Sequence, residues 1–412
     1  MKIAIIGAGA SGMMAAIEAA KNGAQVTLIE KNDRVGKKIL ATGNGKCNFT
    51  NKSMCSDDFC SQSKDVFTDY ISHFNNNDVI SFFQNLGMLV KERNGYCYPR
   101  SDQATTVLDL LRLQLKQLNI EVLTQTYPIS IQKKKKDFEI IFNNNTKSFF
   151  HRVILSCGSF AGEKNRNEFS GYDYAKELGH HLIPIVPALV QLRCSGQDFK
   201  SISGVRCDAN IKLYINNTFA KEEFGELQLT DYGLSGIPIF QLSRFASYGI
   251  YEKQSVYAQI DFLPEYNINS LLAYGEEKWN NLSKNCTLEE YFQGFLNKKL
   301  NYFFIKKAGY KAETLISNLS FSNIKDILLS MKNWKVTINT TNPYENAQVC
   351  AGGVSMEEIT LQMESKLVPG LYFAGELLDV DGRCGGYNLQ WAWTSGYLAG
   401  KNAALQDKRW SK

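Results

Sequence analysis

The sequence lacks any apolar run approaching the roughly 20 residues that a membrane-spanning helix needs, although 44% of its 412 residues are hydrophobic. We also expect no export signal, because Met1 leads into the apolar residues 3–6 without a basic region or a small-residue cleavage site. We therefore expect a cytoplasmic protein with no membrane partner. The chain also has no large excess of one charge sign, since 46 Lys+Arg against 41 Asp+Glu leave a net charge of +5. On a chain of 412 residues, this charge is too small to indicate a nucleic-acid partner.

Metal-binding residues are scarce or unsuitably spaced. The chain has only four histidines, and no two of its ten cysteines lie three positions apart. This spacing excludes Cys-x-x-Cys zinc knuckles and thioredoxin-type redox pairs. We predict no metal site, and we interpret the cysteines as reduced, small hydrophobic residues.

The amino terminus carries a nucleotide-binding pattern. The apolar run 3–6 is followed by Gly7, Gly9 and Gly12, then by a helix-favouring stretch and a second apolar run that ends at Glu30. The three glycines permit a tight turn, a close approach of backbone to a pyrophosphate, and close packing of helix on strand. The helix N-terminus offers N–H groups to the phosphates, and Glu30 can accept hydrogen bonds from a ribose diol. The pattern therefore predicts a bound adenine nucleotide without a 2′-phosphate.

The stretch after Glu30 favours FAD over NAD. Residues 31–51 form a basic, Gly- and Asn-rich connection of about twenty residues, which is long for a β–α loop. A ligand that extends beyond the ADP half would explain this length, and FAD is such a ligand. A helix over 101–118 leads into a strand over 120–123, where the backbone of Val122 is our predicted contact for the adenine.

The carboxy terminus is predicted to complete the same site. An apolar run ends at Gly375-Glu376, a glycine-rich loop reaches Gly385-Gly386, and a helix is predicted over 389–404. This pattern resembles that of two-dinucleotide-fold flavoproteins, in which such a strand end presents backbone and a carboxylate to the ribityl chain. The positive end of the helix would stabilise negative charge at the flavin pyrimidine edge.

The predicted fold is α/β: a Rossmann-like two-dinucleotide-fold FAD domain with an inserted β-barrel-like domain and a small helical domain. Residues 129–150 alternate as a hairpin, and residues 152–158 are a returning buried strand. No second Gly-x-Gly-x-x-Gly occurs, so a dedicated nicotinamide domain is not visible. The predicted segments are FAD domain 1–185, barrel 186–264, helical domain 265–331, last barrel strand 332–345 and FAD domain 346–412.

With both ends considered, the chain resembles the aminoacetone oxidase-like family of FAD-binding flavoproteins, which includes bile-acid-operon reductases. The resemblance covers nearly the whole chain. It rests on four blocks in order: residues 36–48 (GKKILATGNGKCN), GEL at 225–227 with LSG at 234–236, AGGV at 351–354, and residues 375–393 from Gly375-Glu376 to Trp393. It implies that Gly352-Gly353 and Tyr387 face the substrate. Two departures occur: Asp231 stands where many relatives have His, and Ile237 precedes Pro238 where they have Pro directly.

The residues expected to bind the cofactor come from the amino-terminal motif, from the first and last family blocks and from the predicted adenine strand. They are Gly7, Gly9, Ala10, Ser11, Gly12, Glu30, Lys31, Lys38, Thr42, Gly43, Asn44, Gly45, Cys47, Asn48, Val122, Gly375, Glu376, Asp381, Gly386, Asn388 and Leu389.

The leading functional hypothesis is an FAD-dependent oxidoreductase that transfers a hydride between a small organic substrate and flavin N5. Within this class, a reductase fed by NADH or NADPH competes with an amine oxidase that uses oxygen. A flavin-bound redox sensor or interaction protein is the non-enzyme alternative, and an RNA-modifying flavoprotein would need a basic face or an extra RNA-binding domain. No acid–base constellation is evident, so Tyr387, Cys47 and Cys384 are only weak catalytic candidates. The substrate and the oligomeric state stay open.

Overall fold

The computed structural model describes residues 1–62, 65–163, 170–196 and 199–405. The chain divides into two compact units, one made of Met1–Ile185 with Val349–Lys412 and the other of Val186–Gln348. The chain thus returns to the first unit between residues 348 and 349, whereas the predicted boundary lies between residues 345 and 346.

Strands and helices are numbered along the chain. The strands are β1 Lys2–Ile6, β2 Gln25–Ile29, β3 Thr50–Asn51, β4 Phe59–Cys60, β5 Val90–Arg93, β6 Tyr96–Pro99, β7 Glu121–Leu123, β8 Pro128–Lys133, β9 Phe138–Phe142, β10 Lys147–Phe150, β11 Arg152–Leu155, β12 Leu182–Ala188, β13 Leu192–Cys194, β14 Arg206–Ile215, β15 Thr218–Leu229, β16 Gly233–Ser235, β17 Val256–Asp261, β18 Trp334–Thr341, β19 Val349–Val354, β20 Leu371–Phe373 and β21 Asp381–Gly382. The helices are α1 Ala10–Lys21, α2 Lys37–Ala41, α3 Val66–Asp69, α4 Asn76–Asn85, α5 Ala104–Gln117, α6 Gly171–Glu177, α7 Phe199–Ile202, α8 Ile237–Tyr251, α9 Ile268–Asn281, α10 Leu288–Phe292, α11 Lys298–Lys307, α12 Phe321–Lys332 and α13 Tyr387–Ala404.

A five-stranded parallel sheet organises the first unit, in the order β20-β11-β1-β2-β7. Its central strands are almost continuously apolar, because both faces of a parallel sheet are covered. Helices α1 and α13 pack closely: a Cβ added at Gly396 or Gly400 would lie 2.4 Å from Ser11 O or 2.2 Å from Ala15 O. Glycine at these two positions therefore lets the first and last long helices meet at backbone distance.

The second unit contains a closed antiparallel barrel in the order β13-β16-β15-β14-β17-β18. Alternation along β14 buries Ala209, Ile211 and Leu213, as expected for a strand with one face in a core. Helices α9 to α11 fall within the predicted helical segment 265–331, and α12 extends one residue beyond it, to Lys332. The α/β class with a Rossmann-type sheet and an inserted barrel is confirmed.

Several local predictions need correction. Helix α8 lies inside the segment predicted to be β-structure only, although Ile239, Leu242 and Ala246 are buried at helical spacing. The connection 31–51 contains α2 and a 3-10 turn at Thr42–Gly45. The hairpin over 129–150 is a three-stranded sheet, β10-β9-β8. Helix α13 begins at Tyr387, before the predicted start at Leu389.

Among the residues that the structure describes, no helix combines the length and the apolar character that crossing a membrane requires. The same described ranges contain no group of three or more His, Cys, Asp or Glu side chains placed to hold a metal ion.

Candidate functional site

The turns after four neighbouring parallel strands meet at one edge of the first unit's sheet. Gly7 follows β1, Glu30 follows β2, Ser159 lies beyond the end of β11, and Glu376 lies just after β20. Because the carboxyl ends of parallel strands share one edge, these turns form a continuous rim. Ligands of open α/β sheets bind outside such a rim.

The three glycines of the first turn have different surroundings. Gly7 has φ 102°, and an added Cβ would lie 2.5 Å from the Ser156 carbonyl oxygen. An added Cβ at Gly12 would lie 1.9 Å from the Gly7 carbonyl oxygen, whereas one at Gly9 meets nothing within 4 Å. Gly9 caps α1 without a side-chain hydrogen bond, so the first-turn N–H groups and the open space beside them suit a phosphate ligand.

Glu30 is buried and held in one orientation. Its Oε2 accepts a hydrogen bond from Ala8 N at 3.0 Å, and its Oε1 accepts one from Asn32 N at 2.9 Å. Oε1 also accepts a hydrogen bond from Asn32 Nδ2 at 2.5 Å. A carboxylate has about four acceptor positions, so Glu30 retains one for a ribose hydroxyl. Lys31, in contrast, pairs with Glu163 at 2.5 Å. Val122 lies in β7, the edge strand beside β2.

Glu376 connects distant parts of the chain. Its Oε2 lies 2.6 Å from Lys38 Nζ and accepts a hydrogen bond from Ser159 Oγ at 2.8 Å. Lys38 belongs to α2 in the long connection after Glu30. The first and last family blocks therefore contact each other through this pair, and the sequence gives no sign that Ser159 takes part.

Residues 42–48 form a tight, irregular segment. Gly43 and Asn44 have φ 54° and 52°, and Cys47 has φ 56°. Thr42 Oγ1 donates to the Ile39 carbonyl oxygen at 2.6 Å. Burial raises the pKa of the Cys47 thiol to about 11, so this cysteine remains a neutral, packed thiol at neutral pH.

The start of α13 lies against this segment. Gly386 has φ 94°, and an added Cβ would lie 2.8 Å from the Thr50 carbonyl oxygen and 2.9 Å from Asn48 Oδ1. Asn388 was expected to line the cofactor. Its amide bonds the Gly382 backbone, accepting from N at 2.8 Å and donating to O at 2.7 Å, and its contact with the cofactor stays a prediction. Asn388 therefore fixes the loop that carries Asp381, which is itself buried.

A buried polar network that sequence reasoning missed holds α13 in place. Thr50 Oγ1 donates to Gln390 Oε1 at 2.6 Å, and Gln390 Nε2 donates to the Phe74 carbonyl oxygen at 3.0 Å. Trp391 Nε1 donates to Gly375 O at 3.1 Å, and Gly375 N donates to Ser395 Oγ at 2.9 Å. Buried polar groups carry a large penalty when unpaired, so such a satisfied network favours one arrangement of helix and turn.

The three weak catalytic candidates differ in environment. Tyr387 donates its hydroxyl to the Ser53 carbonyl oxygen at 3.1 Å, and burial raises the pKa of its phenol to about 12. Cys47 has no exposed surface, and Cys384 is part-exposed in the loop before α13. Tyr387 is thus a protonated phenol already committed to a backbone acceptor.

The residues present fit FAD. The Asn48 Oδ1 atom is buried and has no hydrogen-bond partner among the described residues, so a donor on a ligand would satisfy it. Helices α1 and α13 both begin at glycines without a side-chain cap. The Gly9 space, the Glu30 carboxylate and the Glu376 carboxylate lie along the same sheet edge, as an extended dinucleotide requires.

Comparisons with known proteins match nearly the whole chain. The family model described as HI0933-like protein Rossmann domain matches residues 1–402. A 3-dehydro-bile acid delta(4,6)-reductase of Clostridium scindens is 40% identical over 98% of this chain and 99% of its own length. A ribosomal RNA dihydrouridine synthase of Haemophilus influenzae is 28% identical, with 98% of both chains covered. Among solved structures, a 3-ketosteroid-delta4-(5alpha)-dehydrogenase of Rhodococcus jostii has a TM-score of 0.49 and 14% identity, covering 98% of this chain and 96% of its own.

Proposed function

This chain belongs to the HI0933-like protein Rossmann-domain family and is an FAD-dependent oxidoreductase; on that premise, we propose that it reduces a ring carbon–carbon double bond conjugated to a carbonyl group. The observation that carries the proposal is the 40% identity, over 98% of the chain, to a reductase of 3-dehydro-bile acids. The proposed substrate is accordingly a small, largely apolar 3-oxo ring compound, and the proposed electron donor is NADH or NADPH.

The names of the relatives support this reaction class. One relative reduces delta(4,6) double bonds of a 3-dehydro compound, and the other makes dihydrouridine, in which a ring double bond next to a carbonyl is saturated. The molecules differ in size and polarity, but the bond reduced is of the same kind. The higher identity to the bile-acid enzyme favours a small-molecule substrate.

When bound, FAD would supply the redox chemistry, so that reducing equivalents from a nicotinamide could reach an electron-poor carbon of the substrate. The first turn of α1 and the buried Glu30 hold the nucleotide half. Glu376, fixed by Lys38, offers a carboxylate farther along the sheet edge. The uncapped start of α13 directs its partial positive charge toward any negative charge that develops there.

The proposal is tested by anaerobic stopped-flow spectroscopy of the yellow holoprotein. We expect NADH or NADPH to bleach the flavin absorbance, and a 3-oxo-Δ4,6 bile acid to restore it with formation of a product in which one of the two double bonds is reduced. Failure of both nicotinamides to bleach the flavin overturns the proposed donor. Bleaching by a primary amine, with reoxidation by oxygen, overturns the proposal in favour of an amine oxidase.

A parallel experiment separates the substrates. The reduced holoprotein is mixed anaerobically with ribosomal RNA transcribed in vitro, and dihydrouridine is measured by mass spectrometry. We expect no dihydrouridine. Its formation, with no reoxidation by the bile acid, would assign the chain to the second kind of relative.

A further inference from the structure

The two carboxylate oxygens of Glu376 have unequal surroundings. Oε2 receives both Lys38 Nζ at 2.6 Å and Ser159 Oγ at 2.8 Å. Oε1 has no hydrogen bond within the part of the chain that the structure describes. The backbone of the same residue is also held, because Tyr172 OH donates to the Glu376 carbonyl oxygen at 3.3 Å.

Two donors on one oxygen fix the plane of the carboxylate. Lys38 approaches from α2 and Ser159 from the segment after β11, so the donors come from separate elements. Rotation of the carboxylate would break both bonds, and bonds to a charged acceptor are stronger than neutral ones. Oε1 is therefore the oxygen available to a donor outside the protein.

The neighbours of Ser159 determine which acceptor its hydroxyl proton is donated to. Ser159 is 8% exposed, and its oxygen accepts a hydrogen bond from Ala161 N at 3.3 Å. A hydroxyl has one donor and two acceptor positions. With Ala161 N–H on the acceptor side, the single Ser159 proton is directed to Glu376 Oε2.

We propose that Ser159 is a positioning residue for the cofactor: together with Lys38 it holds Glu376 Oε2, so that Oε1 accepts a hydrogen bond from a hydroxyl of the ribityl chain of FAD. Ser159 lies outside every sequence motif of the site and does not itself need to touch the ligand. The inference rests on the proposed function only in that FAD is the bound cofactor, and it is independent of the substrate.

The test is ligand binding to the refolded apoprotein, followed by flavin fluorescence for FAD and by calorimetry for ADP. ADP lacks the ribityl chain and serves as the probe of the nucleotide half. For Ser159→Ala we expect the Kd for FAD to rise roughly tenfold, as loss of a bond to a charged group predicts, and the Kd for ADP to stay unchanged. Ser159→Thr retains the hydroxyl and should restore FAD affinity.

A double-mutant cycle separates positioning from general destabilisation. In a Glu376→Gln background, Ser159→Ala should weaken FAD binding by less than twofold, because the group that it orients has changed. Ser247→Ala is the matched control, since Ser247 is a similarly buried serine that donates to the Pro187 carbonyl oxygen at 2.6 Å in the second unit. It should leave both Kd values unchanged.

Three results would overturn the inference. They are an unchanged FAD affinity in Ser159→Ala, an equal loss of ADP and FAD affinity, or additive effects in the cycle. None of these measurements uses turnover, so failure of the proposed reaction would leave the test interpretable.

Discussion

His180 Nδ1 lies 2.8 Å from Glu358 Oε2 in the interior of the first unit. The other ring nitrogen, Nε2, lies 2.9 Å from Ser365 Oγ, and that oxygen already accepts hydrogen bonds from Leu367 N at 3.0 Å and Val368 N at 2.8 Å. Ser365 must therefore donate its proton to Nε2. It follows that the imidazole is neutral, with its own proton on Nδ1 and directed to Glu358.

This arrangement predicts a pH-dependent stability. Burial lowers the pKa of His180 below its ordinary value, outweighing the carboxylate of Glu358. The unfolded chain then binds a proton at a pH where the folded chain does not, so stability is full above the unfolded pKa, near 6.5, and falls as the pH drops below it. Urea unfolding between pH 8 and 5 should show this loss. His180→Gln should flatten that part of the profile, and an unchanged slope would contradict the assignment.

Two glycines of the first turn should separate folding from cofactor binding. Gly12→Ala places a Cβ 1.9 Å from a backbone oxygen, so we expect the free energy of unfolding to fall by about 3 kcal/mol, at the upper end of overpacking effects. Gly9→Ala meets no protein atom within 4 Å and has φ −79°, which alanine adopts readily. Its apoprotein should unfold like the wild type, but it should bind FAD at least tenfold more weakly. If the Gly12→Ala and Gly9→Ala apoproteins unfolded at the same urea concentration, the expected difference in stability between them would be refuted.

Tyr387→Phe tests whether the phenol is a proton donor. Because its hydroxyl is donated to the Ser53 carbonyl oxygen and its pKa is raised to about 12, we expect a positioning role. The kcat for enone reduction should fall less than tenfold, the visible spectrum should persist, and the pH profile should keep its shape. A fall of 10²-fold or more, the range typical of a lost general acid, would make Tyr387 the catalytic donor.

Cysteine labelling tests the redox-sensor alternative. Cys55 is exposed, whereas Cys47, Cys97 and Cys350 are buried. Burial raises the pKa of Cys47 and Cys350 to about 11, which leaves very little reactive thiolate. Iodoacetamide should modify Cys55 in the native protein and the buried three only in urea, as read by peptide mass spectrometry. Cys55→Ser is the control, and rapid native labelling of Cys47 would support a sensor.

A part of the site could be predicted from the sequence when the residues that form it are adjacent along the chain. The turn from Gly7 to Gly12 and the acid at Glu30 were predictable, because the strand, turn, helix and second strand are adjacent in sequence. Ser159 was not predictable, because its task arises from β11 lying beside β20 in the sheet. Helix α8 shows a different failure: its buried residues had helical spacing, but the flanking strands led us to interpret the whole segment as β-structure. The bonds of the Asn388 amide to Gly382 were likewise not predictable from the sequence, and its contact with the cofactor stays a prediction.

The order of the strands in the sheet has a consequence for synthesis on the ribosome. β1 is made first and β20 almost last, yet only β11 separates them in the sheet. While residues 186–348 are being synthesised, the turn from Gly7 to Gly12 is therefore already present in the nascent chain, but Glu376 is not. A growing chain that stops before residue 371 has the rim positions Gly7 and Glu30 but not Glu376. With Glu376 in the proposed cofactor site, stable capture of FAD should accordingly follow the synthesis of β20.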